Sequence, residues 1–294
     1  MDIGRVGIWA FQLDFVPSTR AQEHVVELEE MGFGALWIPE AVGRDALIHS
    51  GILLAGSSRI VVATGIASIW ARDPMAMQAA HLTLSEAYPG RFLLGMGVSH
   101  QPLVEGVRKH TYTKPYSAMK DYLEAMDSAL VMAAPPTEAP QRVLAALRPK
   151  MLQLAADHAN GAHPYFVPPE HTAVARGILG DGPLLAVEQA VVFETDPTKA
   201  REIARNHTST YVGLPNYANN LKQFGFDDDD FLHAGSDRLV DAIVAWGDMD
   251  TIVERVKAHH DAGADHVCIQ VIDETARAAE VPTQAWQNLA DALL

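Results

Sequence analysis

Glu40, His100 and His163 are titratable side chains that fall just past short apolar runs, in Leu36-Trp37-Ile38-Pro39-Glu40, Leu94-Gly95-Met96-Gly97-Val98-Ser99-His100 and Gly161-Ala162-His163. A carboxylate and two imidazoles so placed are candidates for proton transfer. Two further run ends carry glycine, in Thr64-Gly65-Ile66 and Gly97-Val98-Ser99, where a missing side chain lets the backbone come close to a ligand. Trp9 and Tyr165 add flat apolar surface at two more run ends. The chemistry these residues suggest is proton movement beside a flat organic ligand. Each has a plainer role open to it. Trp9 could be core, Glu40 could cap the next helix, and His100 could cap a helix or meet solvent, while His163 stands before Pro164 at a strand end. The adjacent His259 and His260 are expected to be solvated on a helix face.

Other chemistries lack their residues. There is no H-x-H or H-E-x-x-H, so no metal is expected, and no G-x-S-x-G elbow. The single cysteine, Cys268, lies in an apolar run and is expected to be a packed thiol. A formal charge of −15 argues against nucleic acid, which demands lysine and arginine clusters. The run Asp227 to Asp230 lacks calcium-loop spacing and is expected to be a solvated loop or helix start. No apolar run approaches a membrane span and the N-terminus shows no signal peptide, so no membrane partner and a cytoplasmic location are expected.

The elements that must position these residues alternate. Ile3 to Trp9, Ala35 to Ile38, Ile60 to Thr64, Phe92 to Met96, Gly161 to Phe166, Leu185 to Phe193 and His266 to Val271 have strand character, and Ile243 to Trp246 is a candidate seventh strand. Helical spacing lies between them, over Asp45–Gly56 and Pro74–Ala87 for example. Thr19 and Gln22 stand at capping-box spacing, and Gly32 supplies a helix stop. Short continuous apolar strands between amphipathic helices predict a parallel sheet covered on both faces. No G-x-G-x-x-G follows the first strand, so a closed (β/α)8 TIM barrel is favoured over an open sheet. One domain over residues 1–294 is expected, with insertions at 133–140 and 214–240. In such barrels the site lies at the carboxyl ends of the strands, which selects Trp9, Glu40, Thr64, Gly65, Ile66, Gly97, Val98, Ser99, His100, His163 and Tyr165. Trp70, Tyr116 and Tyr165 suggest an apolar pocket.

Leu36 to Glu40, Thr64-Gly65-Ile66, Arg72-Asp73-Pro74 and Gly90 to Gly97 together resemble the luciferase-like monooxygenase superfamily. Gly161 to Tyr165, Glu194 to Pro197, Leu214 to Tyr217 and Asp261 to Val267 resemble its deazaflavin-dependent branch. The resemblance implies a luciferase-like (β/α)8 barrel, a homodimer, and FMN or coenzyme F420 at the strand carboxyl ends. It also implies a non-prolyl cis peptide at Gly65–Ile66 backing the cofactor ring, with Gly97, Val98 and Ser99 meeting the cofactor side chain. Met75, Met77 and Leu82 are candidate dimer contacts. Two positions depart from the branch: Ala41 follows Glu40 where several members have histidine, and His100 stands where some have glutamate. Arg108 and Lys109 form only a thin basic track for an anionic tail.

The leading expectation is an oxidoreductase moving a hydride between F420 and a small-molecule substrate, with His100 the first choice for proton transfer. An FMN-dependent monooxygenase is the alternative. A barrel lyase or isomerase for phosphorylated sugars, which needs a glycine-rich phosphate site late in the barrel, and a cofactor-binding protein without catalysis are the rivals from other classes.

Overall fold

The computed structural model describes residues 1–273 and 280–294. Ten strands form one parallel sheet: β1 (Val6–Trp9), β2 (Ala35–Ile38), β3 (Val61–Thr64), β4 (Ala67–Ser68), β5 (Phe92–Gly97), β6 (Gln141–Leu144), β7 (Gly161–Ala162), β8 (Leu184–Val192), β9 (Val244–Trp246) and β10 (His266–Val271). The helices are α1 (Ser18–Met31), α2 (Ala46–Gly56), α3 (Pro74–Ala87), α4 (Pro115–Asp127), α5 (Pro149–His158), α6 (Pro169–Leu179), α7 (Pro197–Tyr211), α8 (Pro215–Leu221), α9 (Asp237–Ile243), α10 (Met249–Asp261) and α11 (Thr283–Leu293). β10 pairs with both β1 and β8, and this closes an eight-stranded (β/α)8 barrel in the order β1-β2-β3-β5-β6-β7-β8-β10.

Both faces of the strands are buried, which is why they are continuously apolar in sequence. Leu36, Ile38, Val62 and Leu94 face outward into the helix layer. Trp37, Ala63, Leu93, Val143, Ala186 and Cys268 face inward and fill the barrel. Each large apolar side chain so buried contributes roughly 1.5–3 kcal/mol on leaving water. Asp45, Asp73, Asp196 and Asp248 cap α2, α3, α7 and α10, each accepting from first-turn backbone N–H groups. Gly32 ends α1 at φ 100°, the left-handed conformation that glycine adopts without strain.

Several expectations need correction. Val244–Trp246 is not the seventh barrel strand: β9 pairs only with Ala190–Val192 at the far end of β8, outside the closed ring. The barrel strand not foreseen is β6, so His163 follows the sixth barrel strand rather than the fifth. The capping box at Thr19 and Gln22 does not form, because α1 starts a residue earlier behind Pro17 and has no side-chain cap. Met77 is fully buried within the chain and unavailable as a dimer contact, whereas Met75 is exposed. His259 is fully buried, with Nδ1 bonded to the Thr172 hydroxyl at 2.8 Å and Nε2 to Gln189 Oε1 at 2.9 Å. It shares the inward stripe of α10 with Ile252 and Val256.

Candidate active site

At the carboxyl end of the barrel a cavity of about 670 Å³ opens among the loops after β1, β2, β3, β5, β6, β7 and β10. One wall is the Gly65–Ile66 peptide, which is cis. The Trp9 indole Nε1 donates to the Gly65 carbonyl at 3.0 Å and props this wall from below. A Cβ on Gly65 would stand 2.7 Å from Trp9 Nε1 and 3.2 Å from His163 Nε2, so only glycine fits there. Trp9, Gly65, Ile66, Val98, Ser99, His100, His163 and Tyr165, all selected from sequence, line the cavity together with Glu40.

Thr64 and Gly97 stand behind the lining. The Thr64 hydroxyl donates to the Gly95 carbonyl at 2.7 Å and accepts from the Gly95 N–H at 2.9 Å, clamping β3 to β5. Gly97 makes room for Ile66, whose Cδ1 would lie 2.6 Å from a Cβ at that position. Trp70 and Tyr116 are not part of the lining. Trp70 instead bonds the Val98 carbonyl at 2.8 Å, and Tyr116 is exposed.

The three titratable candidates differ in how far their atoms are committed. Both Glu40 oxygens pair with Arg72, and they also accept from the Ser68 N–H at 2.8 Å and the Ala46 N–H at 3.3 Å. The carboxylate thus braces the β2–α2 loop against β4. His163 stacks on Trp37, with centroids 4.3 Å apart at 15°, and its Nδ1–H donates to the Ala186 carbonyl at 2.9 Å. Burial holds His163 down to about 4, and its buried Nε2 has no partner among the described residues. His100 Nδ1 bonds Asn216 Oδ1 at 3.1 Å. A carbonyl oxygen only accepts, so Nδ1 carries the proton and Nε2 offers its lone pair. Burial lowers the pKa of His100 below the ordinary value.

Sequence reasoning missed much of the opposite wall. Asn206, His207, Tyr211, Asn216 and Tyr217 reach the cavity from α7 and α8, and Gln270 from β10. His207 and Tyr211 are four residues apart and share one face of α7, a spacing visible in the sequence. Gln270 follows His266 and Cys268 at strand period on the inner face, where a polar residue in an apolar strand is itself a signal. Arg148 lies at the cavity mouth, exposed and with no ion pair among the described residues. It follows the unforeseen strand β6. Among the described residues no group of three or more His, Cys, Asp or Glu is placed to hold a metal ion. None of their helices is long and apolar enough to cross a membrane.

A phosphosugar lyase would need free N–H groups after the seventh barrel strand, β8. There Asp196 occupies the Thr198 and Lys199 N–H groups with its own carboxylate. A closed parallel barrel with one deep, mostly apolar cavity at its carboxyl end defines a barrel enzyme acting on organic ligands. The chain belongs to the luciferase-like monooxygenase family, whose model matches residues 14–266, and it is accordingly an oxidoreductase of that kind. It is 30% identical over 135 residues to Rv3520c of Mycobacterium tuberculosis, provisionally named a coenzyme F420-dependent oxidoreductase. That match covers 46% of this chain and 38% of the relative, less than half of either. Among solved structures, an F420-dependent secondary alcohol dehydrogenase in complex with an F420–acetone adduct superposes with a TM-score of 0.76 at 15% identity, over 99% of this chain and 98% of the other. The oxygenating constituent of 3,6-diketocamphane monooxygenase from Pseudomonas putida, in complex with FMN, gives 0.70 at 13% identity, over 99% and 97%.

Proposed function

We propose that the enzyme moves a hydride between coenzyme F420 and a small organic substrate, with His100 as the proton-transferring group. The observation that carries this is the His100–Asn216 pair on a ring that lines the cavity, since it leaves His100 Nε2 with no partner among the described residues. Glu40 has its oxygens committed to Arg72 and two backbone N–H groups. His163 is locked by Trp37 and Ala186. His100 combines a nitrogen uncommitted among the described residues with a ring that is only half-buried, whereas the His163 ring is fully buried.

The residues present suit a flat tricyclic group. The cavity falls within the ~300–1,000 Å³ of ligand sites, and Gly65–Ile66 gives it a backbone wall. Ile66 and Tyr165 would hold the ring, Val98 and Ser99 its side chain, and Arg148 an anionic tail. When bound, the deazaflavin supplies a ring carbon that accepts or returns a hydride. The chain's own part is the proton. At neutral pH the uncharged His100 imidazole takes the proton of a substrate hydroxyl at Nε2, and in the reverse direction the imidazolium returns it to the oxygen. The F420-related name of the Mycobacterium tuberculosis relative supports the deazaflavin over FMN.

Titrating the protein separately with F420 and FMN tests the cofactor. Micromolar binding of F420 with weak FMN binding is expected; binding of FMN alone would overturn the choice in favour of a monooxygenase. The proposal includes a homodimer using the exposed Met75 on α3, tested by sedimentation at micromolar concentration; a monomer there rejects it.

A further inference from the structure

Away from Gly65–Ile66 the cavity runs into a compartment walled by aromatic rings from three elements. Tyr165 comes from the loop after β7, His207 and Tyr211 from the last turns of α7, and Tyr217 from the first turn of α8. The rings hold one another in place. Tyr165 and Tyr211 are 5.2 Å apart, Tyr211 meets Tyr217 edge to face at 5.3 Å and 85°, and His207 lies 4.9 Å from Tyr211. Phe166 packs behind Tyr211 and Tyr217 at 5.1 and 5.3 Å. Tilted and edge-to-face contacts of this kind fix the ring positions.

The polar atoms are few and ordered. The Tyr165 hydroxyl donates to Gln270 Oε1 at 2.8 Å, so the Tyr211 hydroxyl donates to Tyr165 at 2.9 Å. Tyr211 thereby keeps accepting capacity of its own, and the buried His207 Nε2 has no partner among the described residues. None of these side chains carries charge at neutral pH. Burial holds His207 down to about 3, pushes Tyr211 up to about 12 and raises Tyr165 and Tyr217 well above the ordinary tyrosine value. Glu188, behind Tyr165, keeps its proton because burial raises it to about 8. A carboxylate placed among these rings would lose its water without gaining a counter-charge. His100 closes the compartment on the side of Tyr217, with ring centroids 5.3 Å apart.

We propose that this compartment is the substrate subsite and takes an uncharged ring-bearing alcohol, or the ketone derived from it, with the ring against Tyr165, Tyr211 and Tyr217 and the oxygen toward His100. The inference rests on the oxidoreductase reading above and adds the class of substrate.

The test is a binding experiment that needs no turnover. The probe is 4-nitrophenol, whose phenolate is yellow and whose neutral form is not. Binding is expected to bleach the yellow band and to raise the apparent pKa of the bound probe by about 1 unit or more. Benzyl alcohol and cyclohexanol should displace it, whereas benzoate should not. Tyr217→Ala should weaken the probe about tenfold. Tyr211→Phe, which keeps the ring and its packing, should weaken it less but measurably, and it decides the matter if Tyr217→Ala fails to fold. A bound probe that stays yellow, benzoate competing as well as benzyl alcohol, or unchanged affinity in both variants would each overturn the proposal. F420 titration of the same samples separates the two readings. No F420 binding by the wild-type protein is a failure of the cofactor reading, and intact F420 binding with no probe binding is a failure of this one.

Discussion

Replacing Glu188 by glutamine changes how stability depends on pH, and the structure sets both sign and size. Glu188 lies in the middle of β8 beside Cys268, inside the barrel and 2% exposed. Oε2 accepts from the Phe166 N–H at 3.3 Å, while Oε1 is buried without a partner among the described residues. Burial without a counter-charge raises the carboxyl from 4.5 to about 8 in the folded chain. Below 4.5 both folded and unfolded forms hold the proton, and the group's contribution is at its full value. As pH rises, the unfolded chain releases the proton first and is favoured by about 1.4 kcal/mol per pH unit, until the folded form also ionises near 8. By pH 7 the gap has opened over about 2.5 units, a loss of about 3 kcal/mol, and above pH 8 the loss levels off. Glutamine keeps the shape and cannot ionise.

The assay is urea unfolding of wild type and Glu188→Gln at several values between about pH 5 and pH 9, read as the difference between the two proteins so that all other titrating groups cancel. The variant should gain on the wild type by about 1 kcal/mol or more per pH unit up to pH 7, then run parallel to it above about pH 8. A difference that stays constant with pH would refute the reasoning, because it would mean that Glu188 ionises alike in both states.

His81, His163, His171, His207, His259 and His266 are held by burial at about 3 to 4, against 6.5 for the free group. Their stability is present above about 6.5 and is lost as pH falls through the folded values, so circular dichroism should show steep acid unfolding; a chain still folded at about pH 3 would contradict this. Gly97→Ala puts a methyl 2.6 Å from Ile66 Cδ1 and 3.1 Å from the Ala145 Cβ, and should cost about 1–3 kcal/mol in denaturant unfolding while pushing Ile66 into the cavity and weakening F420. Unchanged F420 affinity would show that Ile66 does not back the ring. His100→Gln should lower turnover by about 100-fold with little change in cofactor affinity. Asn216→Leu, which frees the other nitrogen, should shift the pH profile of turnover, and an unmoved profile would count against the pair.

What the sequence made legible follows from which elements are long and apolar. β2 and β10 match their expected bounds because every residue in them is buried on one face or the other. β6 was not legible because half of it is Gln141 and Arg142, whose polar ends reach the bottom of the barrel: Arg142 pairs with Asp127 and bonds the His158 carbonyl. β7 is two residues long because His163 already turns its side chain to the site. Val244–Trp246 has the composition of a barrel strand, and only the extra length of β8 gives it a partner outside the ring. At the site, the residues adjoining the early barrel strands were legible, because an apolar run that ends in glycine or histidine marks a strand end. The aromatic wall was not, because α7 and α8 contribute it from the side, and no period in one helix reveals what another helix brings beside it.

That wall also explains the four aspartates. Asp227 and Asp230 form a capping box, with the Asp230 carboxylate accepting from the Asp227 N–H at 2.9 Å. Asp230 is buried, takes the Ser236 hydroxyl at 2.6 Å and pairs with Arg238, whose guanidinium lies 4.7 Å over Phe226. The run is the helix start that was one of the two expectations, and it is also a fastener: it ties the segment after α8 to the start of α9, while Tyr217 and Leu221 anchor α8 in the apolar cluster beneath. Seven residues of helix would not hold their shape alone. Fastened at one end and anchored beneath, α8 presents Asn216 to His100 and Tyr217 to the substrate compartment from one turn. Proton transfer and substrate choice, on the readings proposed here, are thus set by neighbouring residues of one short helix, so a shift of α8 that refitted the compartment to a larger ring would also move the atom that fixes the His100 tautomer.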